Sequence, residues 1–585
     1  MYILGISCFY HDASATLLKD GEIVAAAAEE RFTRKKHDVS FPVNAVNYCL
    51  ESQGIKIDDI DHIGFYEKPL LKFERILYQH LHAFPKSYKV FVGNMPSWFN
   101  EKLRVMRFIK KKLKYRKDVF FVEHHLAHAA NFLNSPFNQA AILTIDGVGE
   151  WTTTAYGLGK DNKITLLKEI KFPHSIGLLY STITAYLGFS VNNSEYKVMG
   201  LSAYGNTDRR TNPYYKKLME IIDVKEDGSY KLDMSYFTYH YKDRMPSKKL
   251  CGLLEGKIRK PKEEITGRHK DIAAALQLVT EDIITKMLNF LHKETKCDNL
   301  YIGGGVALNS VYNGKILGNT KFKRVWIQPD PGDGGTSAGV ASYVYHVILG
   351  NKRNYFFENP FLGPEFSDKQ IKEFLDSKGI RYTEFKDKKT LIKEVAKFIH
   401  KNNVVGWFQG RMEWGPRALG ARSILANPCN PKAKELLNLK VKHREKFRPF
   451  APVVCEEDAS RYFECDKPLP EIVRYMLMVY PVKDKYRNKV PSIVHVDGSG
   501  RLQTIKRKDN DLYYDLIKEF GKFSGIPILI NTSFNIRGEP IVCSPEDAYR
   551  CMMGTGIDLL VVDKFLIKRG DNKKDMWDSE KYAKD

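Results

Sequence analysis

Apolar and polar positions alternate from the first residues. Tyr2–Cys8, Ala15–Leu18 and Glu22–Ala28 are apolar runs of strand length. The polar turn Tyr10-His11-Asp12-Ala13-Ser14 and the hairpin signal Lys19-Asp20-Gly21 separate them, which predicts three successive strands. Asp61–Tyr66 and Val119–Val122 read as further strands. Leu71–Met106 is aromatic and helical in part. Ala141–Ile145 is a strand that closes on Asp146-Gly147-Val148-Gly149. Between Asp271 and Glu294, apolar residues return at Ile272, Leu276, Val279, Ile283, Met287, Phe290 and Leu291, the period of a helix. A buried strand, Leu300-Tyr301-Ile302, leads into Gly303-Gly304-Gly305. Another, Arg324–Ile327, leads into Pro329-Asp330-Pro331-Gly332-Asp333-Gly334-Gly335 and a helix from Thr336. Asp208–Lys270, rich in lysine and tyrosine, reads as an insertion or mobile cover. The composition shifts at Gly350–Glu365, where we place a linker. The predicted division is residues 1–355, 356–570 and a polar tail, 571–585, that frays.

A chain of 585 residues exceeds one compact core, so two large α/β domains are expected. The net charge is +22, from 92 Lys+Arg against 70 Asp+Glu. The basic residues are spread along the chain rather than gathered in a stripe. They suit an enzyme that handles phosphates as well as a nucleic-acid binder. Nine cysteines without a Cys-X-X-Cys pair point to a reducing compartment. The N-terminus lacks a signal-peptide pattern and no apolar run is long enough to span a bilayer, so a cytoplasmic protein without a membrane partner is expected.

The candidate chemistry begins at His124 and His128, which share one face of a helix at i, i+4. His125 and His128 are also helical neighbours, and spacing leaves both pairs open, as it does plain core packing. Asp146 closes a strand, where α/β proteins place ligands. Three glycine-bearing turns follow strands, at Gly5 to Ser14, Asp146 to Gly149 and Gly303 to Asn309. They suggest a nucleotide cleft between two related lobes, as in the actin, Hsp70 and sugar-kinase (ASKHA) type of fold.

Five motifs then carry a resemblance: His124-His125-Leu126-Ala127-His128, Ile145-Asp146-Gly147-Val148-Gly149-Glu150, Lys197-Val198-Met199-Gly200-Leu201, Gly303-Gly304-Gly305-Val306-Ala307-Leu308-Asn309 and Asp333-Gly334-Gly335. Together they resemble the O-carbamoyltransferase family (NodU, CmcH and TobZ type), whose first domain is similar to the transferase that makes threonylcarbamoyladenosine in tRNA. The resemblance implies that His124, His128, Asp146 and Asp333 bind a single metal, commonly iron. It also implies that Gly147, Gly149, Gly304, Gly305 and Asn309 hold nucleotide. Two imidazoles and two carboxylates suit Fe(II) or another divalent transition metal.

The second dense region is Gly410-Arg411-Met412-Glu413-Trp414-Gly415-Pro416-Arg417-Ala418-Leu419-Gly420-Ala421-Arg422-Ser423. Glycines allow close approach and arginine forks bind phosphate oxygens. The lysines of Lys432–Lys446, Lys442 among them, read either as phosphate-binding cations or as one solvated basic helix, with Arg448-Pro449-Phe450 beyond them. Ser492–Thr504 reads as strand, hairpin turn and strand. Ile528-Leu529-Ile530 ends in Asn531-Thr532-Ser533-Phe534-Asn535. These strings resemble the YrdC-like C-terminal domain of the same family. That implies Arg417 and Arg422 for carbamoyl phosphate, Lys442 and Arg448 near the phosphates, and His495, Arg501, Ser533 and Asn535 for an adenylate.

The expected function is therefore ATP-dependent O-carbamoyl transfer. The second domain would make carbamoyl-adenylate from carbamoyl phosphate and ATP with Mg²⁺. The first would pass the carbamoyl group to a hydroxyl of a small-molecule or sugar-like acceptor, with Arg417 catalytic for activation and His11 and Asp12 as candidate general bases. Acceptor specificity is expected in Leu71–Met106 and Asp208–Lys270. The alternatives are a tRNA-modifying threonylcarbamoyl-type transferase and a kinase-like ATPase. A nucleic-acid partner is not expected, and formation of a homo-oligomer is left open.

Overall fold

A computed structural model describes residues 1–572. The chain forms two compact units: residues 1–29 with 39–357, and residues 30–38 with 358 onward. The segment 30–38 departs from a plain division into an N-terminal and a C-terminal part. It leaves the first unit's chain after one strand and belongs to the second unit.

The first unit holds two sheets built alike. In the first, β1 (Tyr2–Ser7), β2 (Ser14–Lys19), β3 (Glu22–Ala28), β4 (His62–Phe65) and β5 (Val119–Phe121) lie in the order β3-β2-β1-β4-β5. β1–β2 and β2–β3 are antiparallel; β1–β4 and β4–β5 are parallel. The second sheet begins with β6 (Gln139–Ile145), β7 (Thr152–Lys160) and β8 (Lys163–Lys171). A separate hairpin, β9 (Ile222–Val224) and β10 (Tyr230–Leu232), precedes β11 (Asn299–Gly303) and β12 (Arg324–Trp326). The order β8-β7-β6-β11-β12 repeats the first sheet strand for strand, with the same senses. This duplication is the two-lobed ASKHA architecture expected from the sequence.

The helix Thr336–Tyr343 packs between the first sheet and the helix His124–Ala130. The approach is backbone-close: a Cβ on Gly339 would lie 1.9 Å from the carbonyl oxygen of Ala127. Hydroxyls of the first sheet hold the start of this helix. Ser7 donates to the carbonyl of Asp333 at 3.0 Å and Ser14 to that of Gly334 at 2.6 Å. The long helix Gly267–Thr295 buries the apolar stripe read from the sequence, with Ile272, Leu276, Val279, Ile283, Met287 and Leu291 on its inner face. The region 208–270 folds into short elements with an interior of its own, including Leu218, Ile222, Tyr230, Leu232 and Leu250. It is a packed insertion, not a bare cover.

In the second unit, β13 (Thr383–Glu384), β14 (Val405–Phe408), β15 (Arg422–Ala426), β16 (Ala451–Cys455), β17 (Met478–Pro481), β18 (Ser499–Ile505), β19 (Ile528–Ser533), β20 (Leu559–Val562) and β21 (Phe565–Lys568) form one mixed sheet, in the order β13-β21-β20-β14-β15-β19-β16-β18-β17. The helices Lys388–His400 and Asp511–Ser524 pair with each other. Their apolar faces close over Val405, Trp407, Leu425, Val453 and Leu529.

Two local expectations are corrected here. Ser492–Thr504 is not a hairpin of two strands. Pro491–Ile493 is a single 3₁₀ turn, and only Ser499–Ile505 is a strand, paired with β17 and β16. Lys432–Lys446 is not one solvated helix. Ala433–Leu436 runs into a wide π turn, Leu437–Val441, and Lys442 is 3% exposed. The frayed tail predicted at 571–585 lies, beyond Asn572, outside the described residues.

Candidate active sites

The helix His124–Ala130 follows β5 and carries His124 and His128 on one face, both buried. Its first backbone N–H groups need an acceptor, and the Glu150 carboxylate supplies it. Glu150 oxygens lie 3.1 and 3.2 Å from the His124 N–H, and one accepts the Lys68 N–H at 2.7 Å. Asp146 sits at the end of β6, and Asp333 on the 3₁₀ turn Asp333–Gly335.

These four side chains converge. Nε2 of His124 lies 2.9 Å from Oδ2 of Asp146, and Nε2 of His128 lies 3.2 Å from the same oxygen. Oδ1 of Asp333 is 3.6 Å from His124 and 3.5 Å from His128. One donor atom from each of the four lies within 4.8 Å of the others. His125 faces elsewhere, with Nδ1 2.8 Å from the Thr144 hydroxyl. The pair the spacing left open is thus His124 with His128 in this cluster.

The four side chains could hold one cation. Asp333 is 1% exposed, and neither of its carboxylate oxygens has a hydrogen-bond partner among the described residues. A buried carboxylate without such a partner is costly, and a cation relieves it. Burial would raise the Asp146 carboxyl, but hydrogen bonds from His124 and His128 hold it well below the usual carboxylate range. Burial would lower His128, yet Asp146 and Asp333 raise it to about 9. The mixed nitrogen and oxygen donor set fits a divalent transition metal.

His11 adjoins this cluster. Its Nε2 is 3.5 Å from Asp333, and its Nδ1 is 2.9 Å from Asp12. Of the glycine turns, Gly305 donates its N–H to Asp146 at 3.3 Å, as Gly147 does at 2.8 Å. Gly304 has φ +91°, and a Cβ there would lie 2.2 Å from the Ile145 carbonyl oxygen. Gly149 lies against the histidine helix, within 3.0 Å of His124 measured from an added Cβ. Asn309 is engaged within the fold: its amide pairs with Gln277 at 3.0 and 3.1 Å and caps the helix Ser310–Asn313.

In the second unit, the Gly-Arg loop 410–423 is wound around a buried carboxylate. One Glu413 oxygen accepts N–H groups from Leu419, Ala421 and Arg422 at 2.7 to 3.0 Å. Gly420, at φ +115°, passes so close to Tyr513 that a Cβ would stand 2.3 Å from its ring. Arg422 does not join an open anion site. It is 0% exposed, donates to the carbonyls of Gln409, Ala421 and Pro364, and lies 3.5 Å from the centre of the Phe408 ring. Arg417, two residues beyond the turn at Gly415, is half-buried.

Lys442, Ser533 and Asn535 meet directly. The lysine Nζ donates to Asn535 Oδ1 at 2.8 Å, to its carbonyl at 2.9 Å and to the Ser533 hydroxyl at 3.3 Å. Burial pulls the Lys442 pKa well below the usual lysine value, and Arg444, Arg448 and Lys36 lower it further. Arg448 therefore lies within electrostatic reach of Lys442. His495 is half-buried and lies 3.5 Å from Asp497, while Arg501 is half-buried on β18.

Sequence reasoning missed the segment 30–38. Arg31 donates to the Gly415 carbonyl at 3.0 Å, and Arg34 to the Ile541 and Pro540 carbonyls at 2.7 and 2.9 Å. The run Arg31-Phe32-Thr33-Arg34-Lys35-Lys36 is visible in the sequence, but nothing local tells which unit it packs on. Glu150 and Glu413 were also passed over, although each lies inside a motif that was singled out.

Family models place this geometry. The model of the carbamoyltransferase N-terminus matches residues 2–342, and that of the carbamoyltransferase C-terminus matches residues 396–569. An uncharacterized protein of Synechocystis is 44% identical, over 97% of both chains. The nodulation protein NolNO of Sinorhizobium fredii is 35% identical, over 97% of this chain and 80% of its own. The nodulation protein U of the same species is 33% identical over about half of each chain. Among solved structures, HypF of T. kodakarensis overlaps 60% of this chain and 48% of its own at a TM-score of 0.32 and 13% identity. With both family models in chain order and relatives aligned end to end, the chain belongs to the carbamoyltransferase family and is a transferase enzyme.

Proposed function

We propose that the protein is an ATP-dependent O-carbamoyltransferase that divides activation and transfer between its two units. What supports this reading is the unlike chemistry of the two donor sets. The first unit gathers two imidazoles and two carboxylates around one point. The second sets the Lys442 ammonium against a polar strand end, at Ser533 and Asn535. The first set is built for a cation, the second for oxyanions.

In the second unit, water cleaves carbamoyl phosphate to carbamate and inorganic phosphate, and the carbamate oxygen attacks the α-phosphorus of ATP. Pyrophosphate leaves and carbamoyl-adenylate forms. Arg417, Lys442 and Arg448 neutralise charge that builds on the phosphate oxygens, and Mg²⁺ accompanies ATP. His495, Arg501, Ser533 and Asn535 hold the adenylate. In the first unit, the acceptor oxygen bonds to the carbamoyl carbon, AMP leaves, and the hydroxyl proton passes to a base.

His124, His128, Asp146 and Asp333 would hold the divalent metal, iron by family resemblance. When bound, it supplies a Lewis acid toward carbonyl or phosphate oxygens. Glu150 fixes the histidine helix, and Ser7 and Ser14 fix the Asp333 turn. The glycine turns at Gly147, Gly304 and Gly305 let nucleotide approach the backbone.

His11 and Asp12 adjoin the cluster as a candidate proton-handling pair. Burial would lower His11, but Asp333 and Asp12 raise it to about 10. So raised, His11 keeps its proton at neutral pH, and the hydroxyl proton goes to the Asp12 carboxylate paired with it. The deciding experiment supplies ATP and labelled carbamoyl phosphate without any acceptor. Pyrophosphate and carbamoyl-AMP are expected only when both substrates are present; release of neither would overturn the reading.

A further inference from the structure

The proposed chemistry leaves one buried cation unused. Arg75 lies on the helix Pro69–His82, is 6% exposed, and stacks over the Phe172 ring at 5.0 Å. Among the described residues it makes no hydrogen bond and no ion pair, and its Nε is buried without an acceptor. The carboxylates near it are Glu150 and Glu67. Both are committed elsewhere, Glu67 to Lys72 and Glu150 to the N–H groups of Lys68 and His124. Burial lowers Arg75 to about 10, so it remains a cation at neutral pH. A buried guanidinium with a fork of donors and no acceptor is costly unless an anion meets it.

Its position relates it to the first site. Tyr10 links the cluster to the helix that carries Lys72 and Arg75. Its ring is 4.5 Å from that of His11, and Lys72 holds its Nζ 5.2 Å over it. Arg75 sits on the connection between β4 and β5, which carries helices over residues 69–113. The matching connection between β11 and β12 in the other lobe is far shorter. The arginine thus belongs to what is particular to this lobe rather than to the duplicated nucleotide-binding frame.

We propose that Arg75 is the anion-binding residue of the acceptor site, and that the acceptor is an alcohol that also carries a carboxylate or phosphate group. This rests on the transfer reading of the first unit. The guanidinium takes the anionic group as a bidentate fork, with the Phe172 ring against its face. That places one end of the acceptor while its hydroxyl reaches the carbamoyl carbon. The other source of such an anion is the phosphate of the adenylate, and the test separates the two.

The full chain, with arginine side chains labelled with nitrogen-15, is titrated with acetate, with methyl phosphate and with AMP. Arg75→Gln assigns the Arg75 Nε resonance, and Arg75→Lys serves where the glutamine variant does not fold. A saturable shift of that resonance with acetate or methyl phosphate is expected, undiminished by saturating AMP, with no shift from ethanol at equal concentration. No saturable shift would leave Arg75 a packing residue and overturn the proposal. A response to AMP alone would assign the anion to the nucleotide and overturn it equally. Pyrophosphate release by Arg75→Gln or Arg75→Lys, measured without acceptor, should match the unsubstituted chain within about twofold. It reports on the activation chemistry separately, so loss of the shift and loss of that activity are distinguishable failures.

Discussion

His124 and His128 point their Nε2 atoms at each other across 3.2 Å, with one oxygen of Asp146 against both. Two imidazole nitrogens so close gain nothing from each other when both carry protons. Under the proposed function, a cation that both nitrogens face as lone-pair donors would satisfy the arrangement.

His128→Ala removes one donor and opens a void beside Asp333. Metal bound per chain, measured by elemental analysis after dialysis, is expected to fall at least tenfold. Pyrophosphate release from ATP and carbamoyl phosphate, assigned to the other unit, should change less than twofold. Full metal retention would show that the four side chains do not act as one site.

Glu150→Ala deprives the histidine helix of its cap. A stability loss of about 1–2 kcal/mol is expected from the unanswered N–H groups. Metal affinity should weaken by about 10–100-fold, the range seen when a ligand's support is removed. Competition with a chelator of known affinity measures it, and Glu150→Gln, which keeps an acceptor oxygen, should recover part of both losses.

Arg417 and Arg422 should separate cleanly. Arg417→Ala is expected to abolish acceptor-free formation of carbamoyl-AMP while leaving urea unfolding and carbamoyl transfer from supplied carbamoyl-AMP unchanged. Arg422→Ala should instead unfold at lower urea, by the equivalent of about 3 kcal/mol or more, because three carbonyls lose their donor in a closed interior. Equal loss of transfer in Arg417→Ala would undo the division of labour.

Lys442 gives a pH signature of known sign. Its folded value lies well below the usual lysine value because of burial. Between that value and the unfolded value of about 10.4, the unfolded chain binds the extra proton. Stability from this group therefore rises with pH across the window and is lost as pH falls through the folded value. Thermal midpoints of the unsubstituted chain and Lys442→Met should converge or diverge accordingly, with the difference moving in favour of lysine as pH rises. A flat difference would mean that the amine keeps its proton throughout.

Much of the frame was legible because periodicity reports burial directly. The stripe from Ile272 to Leu291 and the strands ending at Asp146 and Gly303 lie where their patterns place them, since each buries one face against the same unit. The first strand of the hairpin predicted at Ser492–Thr504 failed because Pro491–Ile493 is a 3₁₀ turn, and pattern alone does not supply a pairing partner. His124 and His125 were indistinguishable by spacing; their directions follow from where β6 places Thr144. Arg417 and Arg422 carry the same side chain in the same motif. Only the neighbours of β15 in the sheet, β14 and β19, decide that one is sealed in.

The loop that leaves β3 and returns at Val39 ties the fate of the two halves together. Its arginines fasten to carbonyls at Gly415, Pro540 and Ile541, hundreds of residues downstream. A fragment cut at the Phe357–Glu358 junction would therefore be missing a piece of its own wall, and a ribosome would have to finish the last strands before that early loop found its seat.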